Sequence, residues 1–222
     1  MSRFYLSDST EVPDLRSARK KMASPSVTTI INGIAPHGYK YLDDRRLREV
    51  LKDETMDYDT KMELLGNTPV FELGLLLHQA AETYWKTGVQ SDPLSCPVSA
   101  REFFAILKPI EPLLVEGFYF SSELNTGGRM DLVGKHKKKI YLYDYKTCSS
   151  FKGKPTNTWL AQLGAYCKLL LENSVQVSGA KVIQFSKKNE GCKVLDLSMA
   201  DLSKGLDLFQ KSRTLYQAWI GI

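Results

Sequence analysis

Two short apolar segments with charged residues at fixed positions do most to restrict how this chain folds. The first runs from Arg129 to Gly134 and holds Asp131; the second runs from Ile140 to Thr147 and holds Asp144 and Lys146. Both carry the β-branched, aromatic and large aliphatic residues that suit strands, and Lys135, His136, Lys137, Lys138 and Lys139 between them read as a turn. Side chains alternate between the faces of a strand, so Asp144 and Lys146 share one face. If the two segments pair, Asp131 reaches the same face. An unpaired acid in an apolar strand is costly, so these positions need a reason. Two carboxylates and a lysine on one sheet face suit a hard divalent cation and a water aimed at phosphorus. A bare ion pair on a solvated face would read the same way, so the parts around the segments decide.

Those parts come in a definite order. Residues 1–24 are polar and mixed in charge, and read as a loose, flexible arm. Ser24, Pro25 and Ser26 cap an apolar run that includes Ile30 and Ile31, as at a helix start. Residues 40–65 have helical spacing with many charges. Phe71 to Trp85 predicts a long helix with Phe71, Leu75, His78, Glu82 and Trp85 on one stripe. Residues 99–108 predict a short helix. Leu113 to Phe120 predicts a strand, with Glu116 on the same face as Leu114 and Phe118.

After the two central strands, Trp159 to Glu172 predicts a helix with Leu160, Leu163, Cys167 and Leu170 on one side. Gln162 and Tyr166 stand four apart on an adjoining face. Ala180–Ser186 and Gly191–Leu197 predict a hairpin around Lys187, Lys188 and Asn189. Met199–Trp219 predicts a closing helix with Leu202, Leu206, Phe209 and Leu215 facing in. The order predicts one α/β domain over residues 25–222, helical over 25–110. Its core over 111–222 is a mixed sheet of about five strands flanked by helices.

Single residues add candidates. An imidazole is a good ligand for Mn²⁺ and an acceptable one beside Mg²⁺, so His78 is a possible ligand as well as a possible core histidine. Gly74, four residues before it, costs about 1 kcal/mol in a helix interior relative to Ala. Close approach of another backbone would account for it. Glu116 reads equally as a site acid or an exposed edge acid. Arg129 suits either a phosphate or a neighbouring acid. Trp85, Phe151 and Trp159 suit core packing or stacking on a terminal base. The lysines of 135–139, Lys152 with Lys154, and Lys187 with Lys188 are solvated tips or phosphate contacts.

Composition narrows the class. The chain has 222 residues, 43% hydrophobic and 25% charged, with a net charge of +5. That charge permits a polyanionic partner without requiring one. Cys96, Cys148, Cys167 and Cys192 show no CxxC spacing and read as reduced thiols of an intracellular protein. No apolar run nears the roughly 18 residues of a membrane span. Near the start, Arg3, Arg16, Arg19, Lys20 and Lys21 are mixed with Asp8, Glu11 and Asp14 and lack an apolar core, unlike a signal peptide.

Taken together, Gly74-x-x-x-His78, Glu116, Gly128-Arg129-x-Asp131, Asp144-x-Lys146 and Gln162-x-x-x-Tyr166 resemble the RecB-type branch of the PD-(D/E)xK nuclease superfamily. The resemblance spans about residues 70 to 170. Within that branch the chain resembles phage and viral recombination exonucleases, and Ser26-Val27-Thr28-Thr29 is similar to the opening of the mitochondrial genome maintenance exonuclease. The resemblance implies a restriction-endonuclease-like core and hydrolysis of DNA with Mg²⁺ or Mn²⁺. By position, His78, Asp131, Asp144 and the Tyr145 carbonyl would hold metal. Asp131, Asp144, Lys146 and Glu116 would be catalytic, and Gln162, Tyr166, Arg129, Ser26 and Thr28 would contact DNA or support the site. The implied partners are linear DNA with ends and a single-strand annealing or binding protein. Asp144 stands where many members have Glu. The cysteines lack the clustered spacing of relatives with an iron–sulfur cluster, so none is expected.

Overall fold

A computed structural model describes residues 3–8, 10–12, 17–18, 21–34, 67–91, 97–148, 150–186 and 191–220. The surface helices expected over 40–65, the turn residues Lys187, Lys188 and Asn189, and Cys96 lie outside the described residues.

Among the described residues, eight strands and five helices follow one another as β1 (Phe4–Tyr5), β2 (Glu11–Val12), β3 (Ser24–Pro25), α1 (Val27–Ile34), α2 (Asn67–Thr87), α3 (Pro97–Leu107), β4 (Glu111–Ser121), β5 (Thr126–His136), β6 (Lys139–Thr147), α4 (Asn157–Glu172), β7 (Ala180–Ser186), β8 (Gly191–Leu197) and α5 (Met199–Ile220). The central sheet has the order β4-β5-β6-β7-β8. β6 and β7 are parallel and every other pair in it is antiparallel. Helix α4 is the crossover between the two parallel strands, as a parallel pair requires. The result is a mixed five-stranded sheet flanked by helices.

Each sheet face has its own core. One lies under α1, α4 and α5, with Val133, Leu142 and Val182 from the sheet meeting Leu163, Leu169, Leu170, Leu202 and Phe209. The other lies under α2 and α3, where Leu132, Tyr143, Tyr145, Ile183 and Phe185 meet Leu77, Phe103, Phe104 and Leu107. Helices α4 and α5 touch backbone to backbone at two glycines. A Cβ on Gly164 would lie 2.2 Å from the Leu206 nitrogen, and one on Gly205 would lie 2.0 Å from the Leu160 oxygen.

Two helix faces differ from the periodicity reading. Among the described side chains of α2 the buried ones are Leu77, Ala80 and Ala81, with Tyr84 and Trp85 partly covered; the side chains of Phe71 and Leu75 lie outside the described set. The apolar stripe therefore passes beside His78, and Glu82 is left toward solvent. On α5 the inward residue near the end is Tyr216, at seven-residue spacing from Leu202 and Phe209, while Leu215 is exposed. Seven residues are nearly two turns, so Tyr216 returns to the buried side and Leu215 falls about 100° away from it.

The opening residues, expected as a loose polar arm, supply a second sheet of order β2-β1-β3. Phe4, Val12, Ala18 and Ala23 form its small core, and the Tyr5 ring meets Phe118 of β4 at 4.7 Å between centroids. Charges spread between these few apolar residues hide them from a composition reading.

Candidate active site

The site is built where two strands lose their alternation. On β5, Met130 and Val133 both enter the core under α4, although an odd separation should place them on opposite faces. Leu132 enters the other core. The phase therefore slips at Asp131. On the paired strand, Leu114 and Tyr119 both pack toward α4, again at odd separation, while Val115 packs toward α2. The slip on β4 coincides with Glu116, whose φ is +47°. A non-glycine residue in this region is strained by about 1–3 kcal/mol and persists only where its surroundings impose it. The expected alternation that grouped Glu116 with Leu114 and Phe118 does not hold through this point. The paired slip turns two carboxylates toward α2.

There they meet His78. Its Nδ1 lies 3.3 Å from Asp131 Oδ1 and 3.4 Å from Glu116 Oε1. One ligand atom from each of the three residues lies within 4.8 Å of the other two. Burial works against a charged imidazole. The Asp131 charge, hydrogen bonds to Asp131 and Glu116, and the Asp144 charge outweigh it and raise His78 from 6.5 to about 10. Burial equally opposes ionisation of Asp131, but the His78 charge, the Lys146 ammonium and the Tyr145 amide hold its carboxyl below the usual range. The Tyr145 amide donates to Asp131 Oδ2 at 2.7 Å. Asp131 thus closes a hydrogen bond to β6 beyond Leu132 and Tyr143, where the described β5–β6 register ends. It is the amide of Tyr145 that the site engages; the expected role of its carbonyl rests on the resemblance alone.

Asp144 and Lys146 stand on the α4 side, as the period-two reading requires. Lys146 Nζ donates to Asp144 Oδ1 at 3.0 Å and to Gln162 Oε1 at 3.3 Å. Gln162 Nε2 donates to Asp144 Oδ1 at 3.4 Å and to the Tyr166 hydroxyl at 3.3 Å. The expected pair on α4 therefore joins the acid and lysine on β6. Thr156 starts that helix by accepting from the Trp159 nitrogen. Gly128 makes room for the Tyr166 ring: a Cβ there would lie 2.5 Å from Tyr166 Cε1. Burial pushes the Asp144 carboxyl up, Asp131 adds to the rise, and Lys146 opposes it. Burial likewise disfavours the Lys146 ammonium, but Asp144 and Asp131 outweigh it and raise Lys146 above 10.5.

The donor set fits a divalent cation. It offers one imidazole and two carboxylates in mutual reach, all partly open to solvent. Asp144 Oδ2 adds a buried oxygen that pairs with the Lys146 charge at 2.8 Å but accepts no directed hydrogen bond. Hard oxygen donors with one imidazole suit Mg²⁺ or Mn²⁺.

Other candidates fall elsewhere. Ser26 is buried and caps α1, accepting from the Thr29 nitrogen at 3.1 Å and touching the Thr28 hydroxyl at 3.1 Å. Neither Ser26 nor Thr28 has a described contact with the acidic cluster. Arg129 is exposed and pairs with no acid among the described residues. Gly74 is not crowded; its Cβ would sit 3.8 Å from Thr147 Oγ1, so close backbone approach does not account for it. Trp85 donates to the Tyr145 hydroxyl at 3.2 Å and packs against the core on the His78 side, the packing alternative of its two readings. Trp159 packs partly buried on the α4 core.

The family described as the PD-(D/E)XK nuclease superfamily matches residues 98–220, more than half of the chain. The chain belongs to this superfamily. The match includes Glu116, Asp131, Asp144, Lys146, Gln162 and Tyr166 and begins after His78. Among solved structures, SSO0001 shares 16% identity over 86% of this chain and 75% of its own, with a TM-score of 0.41. A protein from Eubacterium rectale that carries the provisional name exonuclease shares 11% identity over 72% of this chain and 73% of its own, with a TM-score of 0.48. No curated protein matches the chain. No helix among the described residues is long and apolar enough to cross a membrane.

Proposed function

We propose that this nuclease is a divalent-metal-dependent DNA exonuclease that hydrolyses phosphodiester bonds from the ends of linear DNA, in recombination, repair or replication. One observation carries the proposal. The Asp144–Lys146 pair, braced by Gln162, stands close enough to the His78, Glu116 and Asp131 donors for their charges to interact, so a cation site and a held ammonium are neighbours.

His78, Glu116 and Asp131 would hold the metal, with Asp144 completing its surroundings. A bound Mg²⁺ or Mn²⁺ supplies a Lewis acid that lowers the pKa of water and draws charge from phosphate. The chain's own residues do the rest. Lys146 keeps its proton, because its acidic neighbours raise its pKa against burial. It acts as a hydrogen-bond donor that orients the attacking water and offsets the negative charge growing on phosphorus, rather than as a base. Gln162 holds Lys146 and Asp144 in one geometry, and Tyr166 holds Gln162. Glu116 and Asp131 keep the His78 ring in place.

The test is digestion of end-labelled linear duplex, end-labelled single strands and covalently closed circular DNA. Each is incubated with Mg²⁺, with Mn²⁺ and with a chelator. The proposal expects metal-dependent release of mononucleotides or short oligonucleotides from linear substrates and intact circles. Cleavage of closed circles would replace it with an endonuclease. Binding of DNA without cleavage in either metal would replace it with a non-catalytic binding module.

A further inference from the structure

Gln184 is a fully buried amide on β7 with no part in the carboxylate cluster. It is the register partner of Lys146 across the parallel β6–β7 pair. Its neighbour at period two, Val182, packs under α4, so Gln184 lies on the same sheet face as Asp144 and Lys146. Its carboxamide is engaged at both ends by one residue. Oε1 accepts from the Lys152 nitrogen at 2.6 Å, and Nε2 donates to the Lys152 oxygen at 3.0 Å. A side chain thereby mimics a rung of a β-ladder. The Cys148 nitrogen donates to the Phe185 oxygen at 3.0 Å and adds a second tie at the start of the same connection.

The connection so held runs from the end of β6 to the cap of α4. Lys152, Gly153 and Lys154 at its tip are exposed. Neither lysine forms an ion pair among the described residues. A solvated tip that only keeps strands apart has no need of a buried anchor, because a buried amide left unpaired costs about 1–3 kcal/mol. Neighbouring strands stand about 4.8 Å apart, so the anchor lies one strand spacing from Lys146. Two exposed ammonium groups on a loop whose backbone is anchored at Lys152 match a phosphate backbone in charge.

We propose that Gln184 is a positioning residue that holds the Lys152–Lys154 loop as a contact for the nucleic-acid backbone, with Lys152 and Lys154 each meeting a phosphate beside the one that is cut. The proposal rests on the nuclease reading above. Gln184 acts only through the loop and touches no substrate.

The test separates binding from cleavage. Binding of a fluorescent DNA duplex is followed as a function of salt in a Lys146→Ala background, and cleavage kinetics are followed with Lys146 intact. Lys152→Ala with Lys154→Ala removes two phosphate contacts, so the slope of log K against log salt falls by about 1.8, at about 0.9 per contact. In cleavage the change falls on KM rather than kcat. Gln184→Met shows the same split, and adding it to the double lysine variant changes KM by less than the product of the separate effects. The double lysine variant alters only exposed side chains, so it carries the test even if Gln184→Met fails to fold. An unchanged salt slope and KM in the double lysine variant overturn the proposal, as does a Gln184→Met enzyme that loses kcat with KM unchanged. A wild-type protein that cuts no DNA would sink the nuclease reading alone, since the salt slopes are measured without cleavage.

Discussion

The two halves of the site are made by different kinds of strand. β6 and β7 keep their alternation throughout, so Asp144 and Lys146 stand together on one face with Gln184 beside them. β4 and β5 lose theirs at Glu116 and Asp131, and the slip sends both carboxylates toward His78. The regular half places an acid–lysine pair by periodicity alone. The irregular half gathers three ligands by a local distortion that the sheet must sustain. A site of this kind combines a rigid frame for the ammonium with a strained turn for the ligands.

Removing groups from each half should expose that difference. Lys146→Ala should lower kcat by about 10³-fold, the scale of one transition-state donor, and should also destabilise, because it leaves buried Asp144 and Gln162 Oε1 without their donor. Near-normal turnover in that variant would break the mechanism. Asp131→Ala should abolish activity and also destabilise, because it leaves the Tyr145 amide unpaired. The stability loss is about 1–3 kcal/mol, read as a lower unfolding midpoint in urea. If Asp131→Ala were as stable as the wild type, the irregular half would not be holding the sheet together.

Gly128→Ala tests the support of the regular half. It forces the Tyr166 ring aside and should destabilise by about 1–3 kcal/mol. Glu116→Gly reverses the sign on the other strand. Glycine accepts positive φ without strain, so relief of about 1 kcal/mol should raise Tm by roughly 2–4 °C while metal affinity drops. Lower Tm in that variant would mean that the Glu116 carboxylate matters more to the fold than its backbone strain.

A separate effect is in pH. His78 has a folded value near 10 against 6.5 unfolded. A raised pKa contributes stability that is complete below pH 6.5 and is lost as pH rises toward 10. With chelator present, unfolding midpoints of the wild type should fall across that window, and those of His78→Asn should show a flatter trend. Parallel pH profiles for the two proteins would remove His78 from the cluster.

Legibility in the sequence followed the same division. Asp144, Lys146, Gln162 and Tyr166 follow periods of two and of nearly four, and those periods survived folding at these positions. Glu116 and Asp131 stood out as acids among apolar neighbours, but the face they turn to depended on a slip that periodicity cannot register. His78 was visible as an imidazole in a helix; that it sits beside the buried stripe rather than in it was not. Gly74 suggested a close approach that does not occur. The small sheet of β1, β2 and β3 escaped notice because its few apolar residues are spread among charges and pair only over distance.

By itself the sequence determined the order of the described elements from α1 to α5, and the sharing of one face by Asp144 and Lys146 on one element and by Gln162 and Tyr166 on another. These are local properties, set by backbone geometry over a few residues. Only the tertiary structure decided that β6 and β7 lie parallel, that Glu116 takes a positive φ, and that Gln184 reaches back to Lys152. Each of these joins residues distant in sequence, and its free energy comes from packing and hydrogen bonds that exist only once the sheet is assembled.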